Sequence, residues 1–85
     1  MKILYFAWVR DKIGLDSEEF DLPSEIVTAG EFIEWFKTRG DSYAEVIGAS
    51  DTVKMAINQE YAGPETGISN EDEVALFPPV TGGKY

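Results

Sequence analysis

The chain has 85 residues, which suffice for one small domain with a single hydrophobic core. Its formal charge of −9, from sixteen acidic and seven basic residues, predicts repulsion from phosphate backbones, so we expect no nucleic-acid partner. The acidity favours either contact with a basic protein surface or plain solubility, and the charge alone does not separate these two interpretations.

Cysteine and histidine are both absent from the sequence. Their absence excludes disulfides, thiolate nucleophiles, Cys/His zinc sites, iron–sulfur ligation and imidazole acid–base catalysis. A core this small also leaves few residues to line a catalytic cavity. We therefore expect no independent active site, no metal site and no cofactor bound by this chain.

The first apolar segment, residues 3–9, ends at Arg10. It is too short to span a membrane, and no small-residue cleavage site follows it. We therefore expect a cytoplasmic protein without a membrane partner.

The segment is rich in aromatic and branched residues and apolar at every position, which predicts a central strand with both faces in use. A helical turn from Arg10, closed by Gly14, and an alternating strand over residues 18–22 would complete a hairpin.

A helix is predicted over residues 29–39. Thr28 and Glu31 have the spacing of a capping box, which marks a helix start. Apolar residues then recur at three- and four-residue spacing, and Gly40 lies where a left-handed cap would end the helix. A second short helix is predicted over residues 42–47.

The remaining pattern predicts strands over residues 53–57, 61–62 and 74–77, with a turn at Asn58-Gln59. This order is typical of an α+β fold, the β-grasp (ubiquitin-like) roll, in which one main helix crosses a mixed sheet. We assign this domain to residues 1–77 and an extended tail to residues 78–85. One helix covers one face of a sheet, so the other face is predicted to be a docking surface.

Two acidic clusters, at residues 18–21 and 71–73, invite a metal-site interpretation. Neither has the spacing of a calcium loop, and neither has a second catalytic group nearby in the sequence. We therefore expect both clusters to lie on the solvated surface.

The carboxyl-terminal run joins the last strand to a stiff spacer and then to two glycines: Phe77-Pro78-Pro79-Val80-Thr81-Gly82-Gly83. The prolines reduce the entropy lost on insertion, and six residues from Pro78 extend about 20 Å. Glycines lack Cβ and so pass a narrow channel. From the residues alone, this pattern fits either insertion into a partner or a frayed terminus.

The same run resembles the carboxyl-terminal signature of the small subunits of molybdopterin synthase, the MoaD-type sulfur-carrier proteins of the ubiquitin-like family. The resemblance extends to residues 4–10 with Gly14, to residues 56–59 and to residues 72–75, and so covers most of the chain. It implies a sulfur carrier in molybdenum cofactor biosynthesis that acts as one subunit of a sulfurtransferase.

In such a carrier, an E1-like adenylating enzyme uses ATP to activate the terminal glycine, here Gly83 after Gly82. A sulfur donor then converts the carboxylate to a thiocarboxylate, and the tail delivers sulfur to cyclic pyranopterin monophosphate inside the large subunit. The resemblance implies that the large subunit contacts four domain residues and the spacer: Phe6, Arg10, Tyr61, Phe77, Pro78, Pro79, Val80 and Thr81. Tyr61 departs from the smaller aliphatic residue typical of the family.

Lys84 and Tyr85 follow the glycines and leave no free carboxylate on Gly83. Three explanations stay open: a peptidase removes the dipeptide, the dipeptide is an expression remnant, or this member has lost the carrier cycle.

Two functions other than sulfur transfer to molybdopterin also stay open. One is sulfur transfer for thiamine or tRNA thiolation, or protein tagging; the other is a non-catalytic ubiquitin-like adaptor.

Overall fold

A computed structural model of the chain describes residues 1–48 and 53–78. In chain order the elements are β1 (Lys2–Tyr5), α1 (Ala7–Ile13), β2 (Ser17–Glu19), α2 (Ala29–Phe36), a 3₁₀ turn (Lys37–Arg39), α3 (Asp41–Gly48), β3 (Lys54–Ile57), β4 (Glu60–Tyr61) and β5 (Glu73–Phe77). The sheet order is β2-β1-β5-β3-β4, and β1 and β5 are parallel whereas their other neighbours are antiparallel. The predicted α+β β-grasp roll with a mixed sheet is therefore confirmed. The division at residue 77 stays a prediction, because residues 79–85 lie outside the described part.

The first strand is shorter than predicted. β1 ends at Tyr5, and residues 7–13 form α1 instead of continuing the strand. The change of direction occurs at Ala7, whose φ of +54° is in the left-handed region, and the Phe6 carbonyl then accepts from the amides of Val9 and Arg10. The predicted end of this helix is confirmed, because Gly14 has a φ of 90° and donates its amide to the Arg10 carbonyl.

Helix α2 begins where the capping box predicts. The Thr28 hydroxyl accepts from the Glu31 amide at 3.2 Å, and the Glu31 carboxylate accepts from the Thr28 amide at 3.2 Å. Loop carbonyls of Thr66 and Pro64 accept the next two helix amides, each at 2.8 Å. The helical N-terminus is thus satisfied by the chain itself.

The predicted left-handed cap at Gly40 is wrong. Its φ of 159° and ψ of 174° lie outside the left-handed helical region. The helix instead tightens into the 3₁₀ turn, where the Thr38 hydroxyl donates to the Trp35 carbonyl at 2.6 Å.

The predicted turn at Asn58-Gln59 is confirmed, since both residues have positive φ and join β3 to β4.

The hydrophobic core lies between the helices and one face of the sheet. Alternate residues of the two central strands point into it and are almost fully buried: Ile3, Tyr5, Val74 and Leu76. Helix α2 contributes Phe32 and Phe36, whose rings lie 5.3 Å apart, and Phe36 is 6.4 Å from the Tyr5 ring. In residues 1–48 and 53–78 no helix is long and apolar enough to cross a membrane.

Glu18 connects β2 to the helical layer, contrary to the predicted solvated position. Its carboxylate accepts from the hydroxyls of Tyr5 and Tyr43, each at 2.7 Å, and from Arg39 at 3.1 Å. The Arg39 guanidinium also stacks over the rings of Phe20 and Tyr43, at 4.5 and 4.7 Å from their centroids. The cluster holds the 3₁₀ turn and α3 against the sheet.

The charge of Glu18 is retained in spite of its surroundings. Burial opposes ionisation, but hydrogen bonds from Tyr43, Tyr5 and Arg39 together outweigh it and hold the pKa of Glu18 below its ordinary value. Burial, together with the hydrogen bond to the Glu18 carboxylate, raises the pKa of the Tyr5 hydroxyl, which therefore stays protonated as a donor.

We predict that Glu18→Gln lowers the free energy of unfolding near neutral pH by about 1.5–3 kcal/mol, the range for hydrogen bonds to a charged group. Since the pKa of Glu18 is lowered by folding, its ionised form stabilises the protein fully above the ordinary value of 4.5, and this contribution is lost as pH falls through the folded pKa. Urea denaturation at several pH values, with Glu19→Gln as the exposed control, measures the difference. A difference between the wild type and Glu18→Gln that is as large in strong acid as at neutral pH contradicts this assignment.

A second prediction concerns Ala7. Valine at this position should lower the free energy of unfolding by about 1–3 kcal/mol, because a β-branched residue is strained at positive φ. Glycine adopts the same conformation freely but loses more chain entropy, so Ala7→Gly should stay within about 1 kcal/mol of the wild type. Denaturation curves of both variants test the observed turn. Equal stability of the valine and glycine variants would show that the chain does not turn here.

Candidate docking surface and tail exit

The two central strands end at the same edge of the sheet. Because β1 and β5 are parallel, Tyr5 pairs with Leu76, and the Phe6 amide extends the ladder by donating to the Leu76 carbonyl at 3.2 Å. Phe6 therefore lies beside Phe77, and Pro78 continues the chain from this edge. We call this edge the tail exit.

Phe6 faces away from the core. Ile3 and Tyr5 are buried on the helical side, so the alternation of a strand places Leu4 and Phe6 on the open side. Phe6 retains extended dihedral angles and is 45% exposed, because α1 starts only after it. The turn at Ala7, which the sequence did not reveal, thus keeps Phe6 on the open face.

Tyr61 joins Phe6 and Phe77 on this face. It pairs with Ala56 across β3 and β4, and its ring lies 5.8 Å from the Phe77 ring. The side chain is 72% exposed, so most of its surface is available to a partner. The structure therefore brings together three of the four domain residues that the resemblance selected.

A leucine and two alanines form the centre of the open face. Leu4, Ala75 and Ala56 lie side by side across β1, β5 and β3. Alanines leave this part of the sheet flat, with the larger aromatic rings nearer the tail exit. We call these three residues, together with Phe6, Phe77 and Tyr61, the open-face patch. A flat apolar surface of this kind suits protein docking better than binding of a small molecule.

Arg10, the fourth domain residue, lies one helical turn after Phe6 in α1. Its Nε is 3.8 Å from Asp16 and 3.9 Å from Asp11, and all three side chains are largely exposed. Such surface pairs are weak, so the guanidinium can exchange them for a partner's carboxylate at little cost.

The expected tail residues are only partly within the described structure. Pro78 is half-buried and follows β5 directly. Five further predicted site residues lie outside the described residues: Pro79, Val80, Thr81, Gly82 and Gly83. Lys84 and Tyr85 lie outside them as well.

The open-face patch in the described part of the chain is apolar. The whole chain lacks cysteine and histidine, and in residues 1–48 and 53–78 no three carboxylates are grouped closely enough to hold a metal ion. The structure supplies an apolar contact surface and the exit of the segment that carries the glycines.

Comparison with known proteins assigns the chain to a protein family. The model of the ThiS family matches residues 3–83, so the match ends at Gly83 and leaves out Lys84 and Tyr85. The molybdopterin synthase sulfur carrier subunit of Haemophilus influenzae is 36% identical over 83 residues, which cover 98% of this chain and 99% of that protein. The subunit of the same name from Dictyostelium discoideum is 37% identical over 84 residues, covering 96% and 94% of the two chains.

Solved structures agree with this placement. The putative molybdopterin converting factor subunit 1 of Pyrococcus furiosus has a TM-score of 0.76 and 30% identity, with 93% of this chain and 95% of that chain covered. SAMP1 of Haloferax volcanii has a TM-score of 0.75 and 26% identity, with 98% of each chain covered. The chain therefore belongs to the ThiS family, and within it to the group of the molybdopterin synthase sulfur carrier subunits.

Proposed function

We propose that this protein carries sulfur as a thiocarboxylate on Gly83 and donates it to cyclic pyranopterin monophosphate within molybdopterin synthase. The observation that carries the proposal is the full-length match to sulfur carrier subunits, with a family match that ends at Gly83. It is joined by a tail exit beside the open-face patch, in which Phe6 and Tyr61 are exposed. The relatives' names favour molybdopterin over thiamine or tRNA thiolation.

The proposed cycle places sulfur on the main-chain carboxylate of Gly83, because the chain has no cysteine thiol. A carboxylate is a poor acceptor of sulfur, so an E1-like enzyme first joins Gly83 to AMP from ATP, and AMP is a good leaving group. A persulfide sulfur of the donor then attacks the acyl carbon and displaces AMP. A thiol reductant cleaves the resulting acyl disulfide, which leaves the thiocarboxylate on Gly83 and the donor's sulfur as a disulfide with that thiol. Sulfur is thereby held on the main chain, and the protein needs no thiol of its own. ATP belongs to the activating enzyme rather than to this chain.

The large subunit supplies the pocket and the acid–base groups for the transfer. The open-face patch is its proposed contact surface, with Phe6, Phe77 and Tyr61 as anchors and Arg10 as a polar contact at the rim. Docking there positions the tail exit at the entrance of the partner's channel. The spacer of Pro78, Pro79, Val80 and Thr81 then carries the two glycines inward.

Lys84 and Tyr85 have to be removed before this cycle begins. A peptide bond between Gly83 and Lys84 leaves no carboxylate for adenylation, and two added side chains also enlarge the end of a segment that enters a channel. A peptidase step therefore precedes activation wherever the 85-residue chain is the starting form.

We predict that Phe77→Asp weakens binding of the large subunit by more than about 2 kcal/mol, or about 30-fold in Kd, because it places a charge in a desolvated apolar contact. Titration calorimetry with the chain ending at Gly83 and with the 85-residue chain measures the effect. Val27→Asp adds the same charge at an exposed apolar residue before α2 and is the matched control. Equal affinity of the folded Phe77→Asp variant and the control would place the interface elsewhere.

We also predict that the chain ending at Gly83 is charged with sulfur whereas the 85-residue chain is not. The assay combines activating enzyme, ATP and sulfur donor, and intact mass reports replacement of one oxygen by sulfur. Gly82→Val in the shorter chain should block charging, because a branched Cβ collides where the backbone approaches the phosphate closely. Charging of the 85-residue chain without cleavage would refute the proposed site, and charging of neither chain would favour the adaptor function.

A further inference from the structure

Exposed apolar residues also occur outside the open-face patch. Five large apolar side chains are exposed in residues 1–48 and 53–78: Phe6, Trp8, Leu15, Val27 and Tyr61. Phe6 and Tyr61 belong to the open-face patch described above. Leu15 is 46% exposed, and it is not among the described residues that form the core or pack against it. Single exposed leucines are common on protein surfaces. A binding role for Leu15 therefore depends on where it lies relative to the open-face patch.

The pairing of β1 with β2 fixes that position. Leu4 pairs with Ser17, and the Tyr5 amide donates to the Asp16 carbonyl at 2.9 Å. One further step along the antiparallel ladder brings Leu15 beside Phe6. The chain reaches this position through the left-handed Gly14 at the end of α1.

Leu15 therefore extends a row of apolar residues along the tail exit. From the β2 side the row runs Leu15, Phe6 and Phe77 on three neighbouring strands. On β3 the partner of Phe77 is the exposed Lys54, and the Tyr61 ring of β4 reaches the Phe77 ring at 5.8 Å. Five neighbouring strands are about 19 Å wide at about 4.8 Å between strands. A row of this width fits a protein interface of standard size, which buries about 800 Å² on each partner.

We propose that Leu15 is an anchor for the large subunit and that the docking surface crosses the whole sheet from β2 to β4. The inference rests on the proposed function, because it extends the same docking surface toward β2. The complementary surface of the large subunit is an apolar strip at the mouth of the channel that receives the tail. Arg10, near Asp16 at 3.8 Å, marks the polar rim at the Leu15 end of the row.

The test compares Leu15→Ser with Val27→Ser by titration calorimetry against the large subunit, in the 85-residue chain and in the form ending at Gly83. Val27 is 55% exposed, so both variants remove a branched apolar side chain of similar exposure. Leu15→Ser should raise Kd about five- to tenfold, and Val27→Ser less than about twofold. Leu15→Met keeps an apolar contact and should bind within about twofold of the wild type. Thermal denaturation checks that all variants are folded.

Phe77→Asp, measured in parallel, separates this inference from the proposed function. Loss of binding in Phe77→Asp with equal affinities of the two serine variants overturns the role of Leu15 and leaves the proposed function in place. Loss in Leu15→Ser alone overturns the shared row, because binding would then involve Leu15 without Phe77. Unchanged binding in all variants overturns the docking surface as a whole.

Discussion

The parallel pairing of β1 with β5 is the constraint on which the rest of the structure depends. It joins the two ends of the domain in the middle of the sheet and directs both strands toward one edge. Parallel strands need a long crossover, and here the crossover contains the helices, which all pack on one face. The same pairing places Phe6 beside Phe77, from which the tail continues at Pro78. The proposed docking surface and the proposed chemistry are therefore adjacent because of one ladder of hydrogen bonds.

The two faces of the sheet have different roles in this domain. The covered face holds the core, and the Glu18 cluster binds the helical layer to the outer strand. The open face has Leu4 and two alanines at its centre and aromatic rings beside them, nearer the tail exit. In the proposed function, reactive groups belong to the partners, and this chain contributes recognition and a main-chain carboxylate. That division agrees with a sequence that lacks both cysteine and histidine.

Local signals predicted the elements that depend on neighbouring residues. The capping box at Thr28, the turn at Asn58-Gln59 and the cap at Gly14 all follow from the chemistry of a few adjacent residues. Long-range partners were not predictable in this way. The carboxylate of Glu18 looked like part of an exposed acidic run because its donors, Tyr5, Arg39 and Tyr43, lie 13 to 25 residues away in sequence.

The apolar run at residues 3–9 was misassigned for a related reason. A short apolar segment is compatible with a strand or a buried helix, and its own pattern does not show where one changes into the other. The change occurs at Ala7, a residue type with no preference for positive φ. For the candidate site, the resemblance selected Phe6, Phe77 and Tyr61, but their adjacency, and the position of Leu15 beside them, required the strand register.

The central claim is that sulfur travels on the carboxylate of Gly83. Its most direct test is the intact mass of this protein purified from its native cells during synthesis of the molybdenum cofactor. We predict a population that ends at Gly83, part of which has one oxygen replaced by sulfur. A population that consists only of the 85-residue chain, or of chains ending at Gly83 that never contain sulfur, would contradict it.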